Sequence, residues 1–519
     1  MSGPAGSAAL LTPARRGAAV RAQPHGGTRG RGTPGGGPGS YWALPRGPVV
    51  PVLVTVLLLC APAGGAGAAG HGGVTLADLC SGVLVLWCAL GLLRPPAHRT
   101  AGRVGPRALT PLAAVVLGVP AAAFAVTTIA SADPAASLPG FVRYLQLFVL
   151  VPGAVLLSLR DARDVRLMCA AVVLLALVEG GVGVVQALTG NGASYQGENV
   201  RAVGTFGPLD VMGMATAVSY GLVTALACGL HPPAGAPRWL RPCALGSAAA
   251  LVVPLALSYS RGAWIATASA VLLLLALRGV RTTVCVLAAV AATGMVLVGG
   301  FGLATQELSQ RARSITEVSD SPDRSVTDRY TLWGAALDIW REAPVTGVGP
   351  KEFPEHRDAH AALELSSGSD TAGAGVPFQR EPLLSPHNMY LLVLSEQGLV
   401  GTVALMGSWG VLLVRGGRRL VDARRGGPGC RATDCGAVAA GLLVWQSVDF
   451  LYGDIGGPST VLTALVLGSA TWWALSPAVE QTADGTSDGT VERAADGTAA
   501  RTAAWWHRGR APKADGGPR

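Results

Sequence analysis

Leu167–Leu188 reads LMCAAVVLLALVEGGVGVVQAL, twenty-two residues in which Glu179 is the sole charge. A helix rises 1.5 Å per residue, so this stretch is about 33 Å long, enough to cross a hydrocarbon core of about 30 Å. It reads as a transmembrane helix. Working outward, comparable apolar segments lie near 48–65, 74–93, 108–129, 139–159, 166–188, 207–229, 240–258, 262–278, 282–303, 388–414, 436–452 and 458–476, twelve in all. The expected fold is therefore an all-α integral membrane protein with about twelve transmembrane helices.

Composition agrees. Of 519 residues, 50% are hydrophobic and only 14% charged, against about 25% charged in an average soluble domain. Mean hydropathy is +0.43. A soluble multidomain enzyme and a disordered scaffold are both excluded. The net charge of +9 reads as the arginine excess of cytoplasmic loops rather than as a nucleic-acid surface.

Orientation follows from the same arginines. Segments 1–47, 94–107, 160–166, 230–241, 278–281, 415–435 and 477–519 hold 29 of the 40 basic residues. Placing them inside puts both termini in the cytoplasm of a multi-pass plasma-membrane protein. The short outer loops then hold two, Arg201 and Arg261, and the long loop 304–386 holds eight. The chain divides into a disordered cytoplasmic segment (1–47), helices one to nine (48–303), a large extracytoplasmic loop with an interfacial helix (304–386), helices ten to twelve (387–476) and a disordered cytoplasmic tail (477–519). The tail repeats Asp-Gly-Thr at 484–486, 488–490 and 496–498. Seven of the nine cysteines fall in spans and act as small apolar side chains; no metal site is expected.

A charge at membrane depth, or an arginine on the outer side, needs a partner or a function. Arg143 lies in the fourth span, and Glu179 of the fifth is a candidate partner. Arg261 stands in Ser258-Tyr259-Ser260-Arg261-Gly262, a tight connection between two apolar helices. Besides snorkelling to headgroups, a guanidinium there suits phosphate, which it meets with paired hydrogen bonds. Arg201, in Arg201-Ala202-Val203-Gly204-Thr205-Phe206-Gly207-Pro208, is a second outer arginine.

In the long loop Asp328 is a helix cap, Arg329 starts the helix, and Tyr330, Trp333, Leu337 and Trp340 share one face, suited to a membrane interface. Pro344 closes it before the turn Gly347-Val348-Gly349-Pro350. Residues 362–379 read as a flexible insert or lid. The loop ends at Ser385-Pro386-His387-Asn388, where the tenth span begins. His387 at that boundary fits a general base for activating a hydroxyl, with Glu396 about two and a half turns further on.

Ser260-Arg261-Gly262, Arg329-Tyr330-x-x-Trp333, Pro344-x-x-Gly347-Val348-Gly349 with Phe353, His387-Asn388-x-Tyr390-Leu391 and Glu396-x-Gly398-Leu399-x-Gly401 occur in this order across about 190–415. Together they resemble the O-antigen ligase and O-antigen polymerase superfamily, whose large loop lies between helices nine and ten, as here. The resemblance implies a metal-free glycosyltransferase acting outside the cytoplasmic membrane, with no cofactor, in cell-surface polysaccharide assembly. Its donor is a polyprenyl (undecaprenyl) diphosphate-linked glycan, and its acceptor a hydroxyl on a glycan, lipid or protein. Arg261, Arg329 and, as an auxiliary, Arg201 are implied to hold the donor diphosphate. His387 acts on the acceptor as the catalytic residue, and Glu396 and Trp333 support it. The bilayer is a partner, and a flippase working alongside stays open.

Ligase and polymerase differ only in acceptor, and the motifs do not separate them. A twelve-helix transporter is a rival reading, but its long loop belongs between helices six and seven. A metal-dependent glycosyltransferase needs acidic residues in the first outer loop, and 66–73 contain none.

Overall fold

The computed structural model describes residues 47–62, 75–93, 109–195, 201–207, 210, 212–233, 235–286, 288, 324–360, 369–373, 376–381, 384–425 and 432–477. Helices α1 (Val49–Leu58), α2 (Leu76–Leu93), α3 (Pro111–Ala130), α4 (Pro134–Ser158), α5 (Ala162–Thr189), α6 (Gly213–Leu230), α7 (Leu240–Leu257) and α8 (Arg261–Arg278) come first. The more polar α9 (Arg324–Glu342) and the short α10 (Phe353–His360) follow, then α11 (Met389–Arg425), α12 (Thr433–Asp449) and α13 (Ser459–Leu475).

Among the described residues, eight helices (α2 to α8 and α11) are long and apolar enough to cross a membrane, and α1 and α13 are shorter apolar helices. The protein is a multi-pass membrane protein. The expected ninth span, 282–303, lies largely outside the described residues. So do the segment 1–47 apart from Gly47, and the tail 477–519 apart from Pro477.

Caps start the helices where the sequence supplies them. Asp133 accepts from Ala135 and Ala136 N–H ahead of α4, Asp161 from Arg163 and Asp164 N–H ahead of α5, and Ser260 from Ala263 N–H ahead of α8. The first span is shorter than expected. Pro62 disfavours helical backbone at Ala61, and the chain leaves α1 through tightened bonds from Leu59, Cys60 and Ala61 N–H three residues back.

The centre of the bundle is α6, packed against α5, α7, α8 and α12, together with α13, packed against α4, α11 and α12. Every residue of α13 is buried, and Trp445, Trp472 and Trp473 fill the space between helices. Large apolar residues of α2 and α3, such as Val83, Leu86 and Val115, instead face outward, as a lipid-facing surface requires.

Arginines also serve the ends of helices. Arg415 and Arg419 donate to the carbonyls of Trp473, Ala474 and Ser476, the orphan acceptors at the end of α13. Arg166 meets the buried Asp434 with two bonds of 2.6 and 3.0 Å.

Three features differ from the sequence expectations. A small antiparallel sheet in the order β1–β2–β3, from Ala193–Tyr195, Ser369–Gly373 and Val376–Glu381, joins the otherwise helical fold. Two of its strands fall in or beside the stretch expected to be a flexible insert. Arg143 does not pair with Glu179. It forms an ion pair with Asp78 of α2 and donates to Gly457 O (3.2 Å) and Thr460 Oγ1 (2.7 Å), because α4 packs against α13 rather than against α5 at this level. Finally, α9 begins at Arg324, so Asp328 and Arg329 lie inside the helix. Asp328 is buried on the packed face with Leu332, Ala335, Ala336 and Ile339, and a turn of helix forms ahead of it.

Candidate active site

His387 is placed by short-range chemistry. Asn388 caps α11, its Oδ1 accepting from Tyr390 N–H (3.0 Å) and Leu391 N–H (3.1 Å). His387, just outside that cap, has φ +48°, and Tyr259, two residues before Arg261, has φ +49°. Non-glycine residues are uncommon in this left-handed region, and such backbone concentrates at functional sites.

Contacts from two distant segments fix the histidine's neighbours. The Trp333 indole N–H donates to Pro386 O at 2.9 Å, so α9 is tied to the residue immediately before His387. Met389 N–H donates to both Phe450 O (2.9 Å) and Gly453 O (3.0 Å), and Asn388 Nδ2 to Leu451 O (3.3 Å). The connector Phe450–Pro458 between α12 and α13 thus lies against the start of α11.

That connector carries Asp454, which sequence reasoning missed. His387 is held below the usual histidine range, chiefly by burial; the Arg329 cation pushes the same way and Asp454 opposes. The arrangement favours a neutral imidazole under the opposed influence of one cation and one acid, suited to receiving a proton near neutral pH. Asp449 and Asp454 are the only charged residues between Gly436 and Pro477, and an acid closing an apolar span was the available signal.

The connector is itself anchored. Asp210 Oδ2 accepts from Ser459 N–H at 2.9 Å, and a Cβ on Gly457 would lie 2.5 Å from the Asp210 carboxyl carbon. Arg143 holds its far end through Gly457 O and Thr460.

Arg261 is the first residue of α8, and Gly262 beside it packs on Tyr452 of the same connector; a Cβ there would come within 2.7 Å of Tyr452 Cβ. Ala202 N–H donates to Leu257 O at 3.3 Å, which sets Arg201 beside the α7–α8 turn. The structure therefore gathers Arg201, Arg261 and His387 at one end of the bundle, with Arg329 acting electrostatically on His387. On α9 the aromatic face is the one left outward: Tyr330 is exposed and meets Trp333 edge-on, while the aliphatic face packs on α11.

Glu396 is buried and accepts from Tyr144 OH (3.1 Å) and Phe353 N–H (3.4 Å), joining α4, α10 and α11. The two glycine motifs interlock next to it. Gly398 breaks α11 with φ 59° and ψ −159°, and the freed N–H groups of Leu399 and Val400 donate to Pro344 O (2.9 Å) and Val345 O (3.0 Å). In return, Val348 and Gly349 N–H donate to Ser395 O (3.1 Å) and Glu396 O (2.8 Å). A Cβ on Gly347 would lie 2.3 Å from the Glu396 carbonyl carbon, so the backbones meet at a distance no other residue permits.

Among the described residues no group of three or more His, Cys, Asp or Glu side chains is arranged to hold a metal ion. The O-antigen ligase family model matches residues 246–406, a segment from α7 to the middle of α11 that contains Arg261, Arg329, His387 and Glu396. No match was found among curated proteins.

Proposed function

We propose that this O-antigen-ligase-like membrane protein transfers a glycan from polyprenyl (undecaprenyl) diphosphate to an acceptor hydroxyl on the extracytoplasmic side, with both termini in the cytoplasm. The observation that carries the reading is His387, held at the entrance to α11 by the Asn388 cap and the Trp333–Pro386 bond and subject to the opposing charges of Arg329 and Asp454, within the same family segment as Arg261.

In this reading the acceptor oxygen attacks the anomeric carbon from the side opposite the diphosphate. The new C–O bond forms as the sugar–phosphate C–O bond breaks, and its electron pair leaves on the diphosphate; the configuration inverts. His387 takes the hydroxyl proton, and Asp454 stabilises the imidazolium that results. Charge grows on the diphosphate as the bond breaks, so Arg261 and Arg329 stabilise the transition state more than the ground state, without a metal ion, while Arg201, the auxiliary, binds the donor head group alike in both. Glu396 and Trp333 act at one remove, by holding the loop and the histidine in place.

The test is deletion of the gene in its host, complemented by wild type or by Arg261→Ala, Arg329→Ala or His387→Ala, with insertion of each variant checked. Wild type restores an extracellular glycan, and the variants accumulate lipid-linked donor. The missing product names the acceptor, and so distinguishes a ligase from a polymerase. Full complementation by all three variants sinks the reading.

A further inference from the structure

Glu179 is fully buried in α5 at membrane depth, and no step above uses it. Its carboxylate accepts from Thr205 N–H (2.8 Å) and from the Thr205 hydroxyl (2.6 Å). Gln186 stands seven residues on, hence on the same helix face. Its Oε1 accepts from Val203 N–H (3.0 Å) and Gly204 N–H (2.8 Å), and its Nε2 donates to Gly204 O (2.9 Å).

The gripped segment is the one that follows Arg201. Gly204 has φ +64°, and a Cβ there would lie 2.2 Å from Glu179 Oε2; Ala202, Val203 and Phe206 are buried around it. Five hydrogen bonds from two side chains thus hold five polar groups on three consecutive residues, Val203, Gly204 and Thr205, the last two in the short turn Gly204–Phe206. Ala202 N–H reaches Leu257 O on the far side, four residues before Arg261.

We propose that Glu179 and Gln186 are positioning residues: they clamp the Val203–Thr205 backbone so that Arg201 and Arg261 address one anionic head group together. This rests on the transferase reading. The described partners of Glu179 are a backbone N–H and a hydroxyl, so its task is to accept hydrogen bonds, and a neutral amide of the same shape performs it. The Thr205 hydroxyl can turn from donor to acceptor to suit.

The experiment uses the purified full chain in liposomes, with a polyprenyl-diphosphate glycan as donor, and reads donor KM and kcat separately. Arg201→Ala, Glu179→Ala and Gln186→Ala are expected to raise donor KM by about tenfold to a hundredfold, the scale of a misplacement of about 1 Å, with a smaller change in kcat. Glu179→Gln stays within about threefold of wild type, as expected when its hydrogen bonds survive. Adding Glu179→Ala to Arg201→Ala raises KM no further, because the clamp acts through that arginine. Thermal unfolding in detergent identifies any variant that fails to fold, and Glu179→Gln with Gln186→Ala then carry the test. The proposal is overturned, with the transferase reading intact, if Arg201→Ala raises donor KM and Glu179→Ala does not, or if Glu179→Gln is as damaging as Glu179→Ala. Absence of transfer by wild type from any lipid-linked donor overturns both.

Discussion

Trp333 and His387 are coupled through one peptide unit: the Trp333 indole N–H bonds Pro386 O at 2.9 Å, and Pro386 immediately precedes the left-handed His387. The loop helix therefore sets the histidine's backbone. Trp333→Phe keeps an aromatic ring and removes the donor. It should lower kcat by about three- to tenfold, the worth of one neutral hydrogen bond, with donor KM little changed. Steady-state kinetics on the purified protein check this; an unchanged kcat removes Trp333 from the support of the site.

The acid side of the pH profile should report His387. Its proton affinity is lowered chiefly by burial and further by Arg329, so the base is already neutral at pH 7 and activity falls only below the ordinary value of about 6.5. Asp454 opposes that shift. Asp454→Asn should thus move the acid limb of kcat/KM to lower pH, and Arg329→Gln should move it to higher pH on top of a reduced rate. Movement in the opposite directions means another group titrates.

Gly398 closes the contact between the Pro344–Pro350 turn and the break in α11. A Cβ there would sit 2.4 Å from Val345 C and O and 2.6 Å from Gly347 N, with φ at 59°. Gly398→Ala should cost more than about 2 kcal/mol, from left-handed strain combined with overpacking. Gly407, in the same helix, has open space around it, and Gly407→Ala should be neutral or mildly stabilising. Thermal melts of the two variants in the same detergent separate a packing effect from a general intolerance of the helix.

Arg143 and Asp78 should be energetically coupled, and Arg143 and Glu179 should not. Each member of the Arg143–Asp78 pair is mostly shielded, with side-chain exposures of 25% and 15%. A double-mutant cycle of Arg143→Met with Asp78→Asn should return an interaction of about 1–2 kcal/mol, and Arg143→Met with Glu179→Gln should be additive within about 0.5 kcal/mol. Coupling to Glu179 instead contradicts the packing of α4 described above.

Much of the site was legible in the chain because it is written in local motifs. His387-Asn388 is a residue outside a cap followed by the cap itself, and Ser260-Arg261-Gly262 is a cap followed by a helix start. Asp454 was less visible: it belongs to no motif that contains His387, and 66 intervening residues separate the two. The Gly347 and Gly398 motifs were recognisable as motifs, but not as two halves of one contact.

The amino-acid sequence by itself determined that this protein lives in a membrane, roughly where eight of its helices run through it, and which arginines are chemically out of place. Those properties follow from run length and charge along one dimension, because the bilayer tests each segment separately. The tertiary structure alone decided that Arg143 belongs with Asp78, that Glu179 holds the Arg201 loop, that Asp328 is buried within α9, and that the α12–α13 connector brings Asp454 to His387. Each of these depends on which helices are neighbours and at what height. That is settled by side-chain packing and by the need to satisfy buried polar groups among segments far apart in the chain.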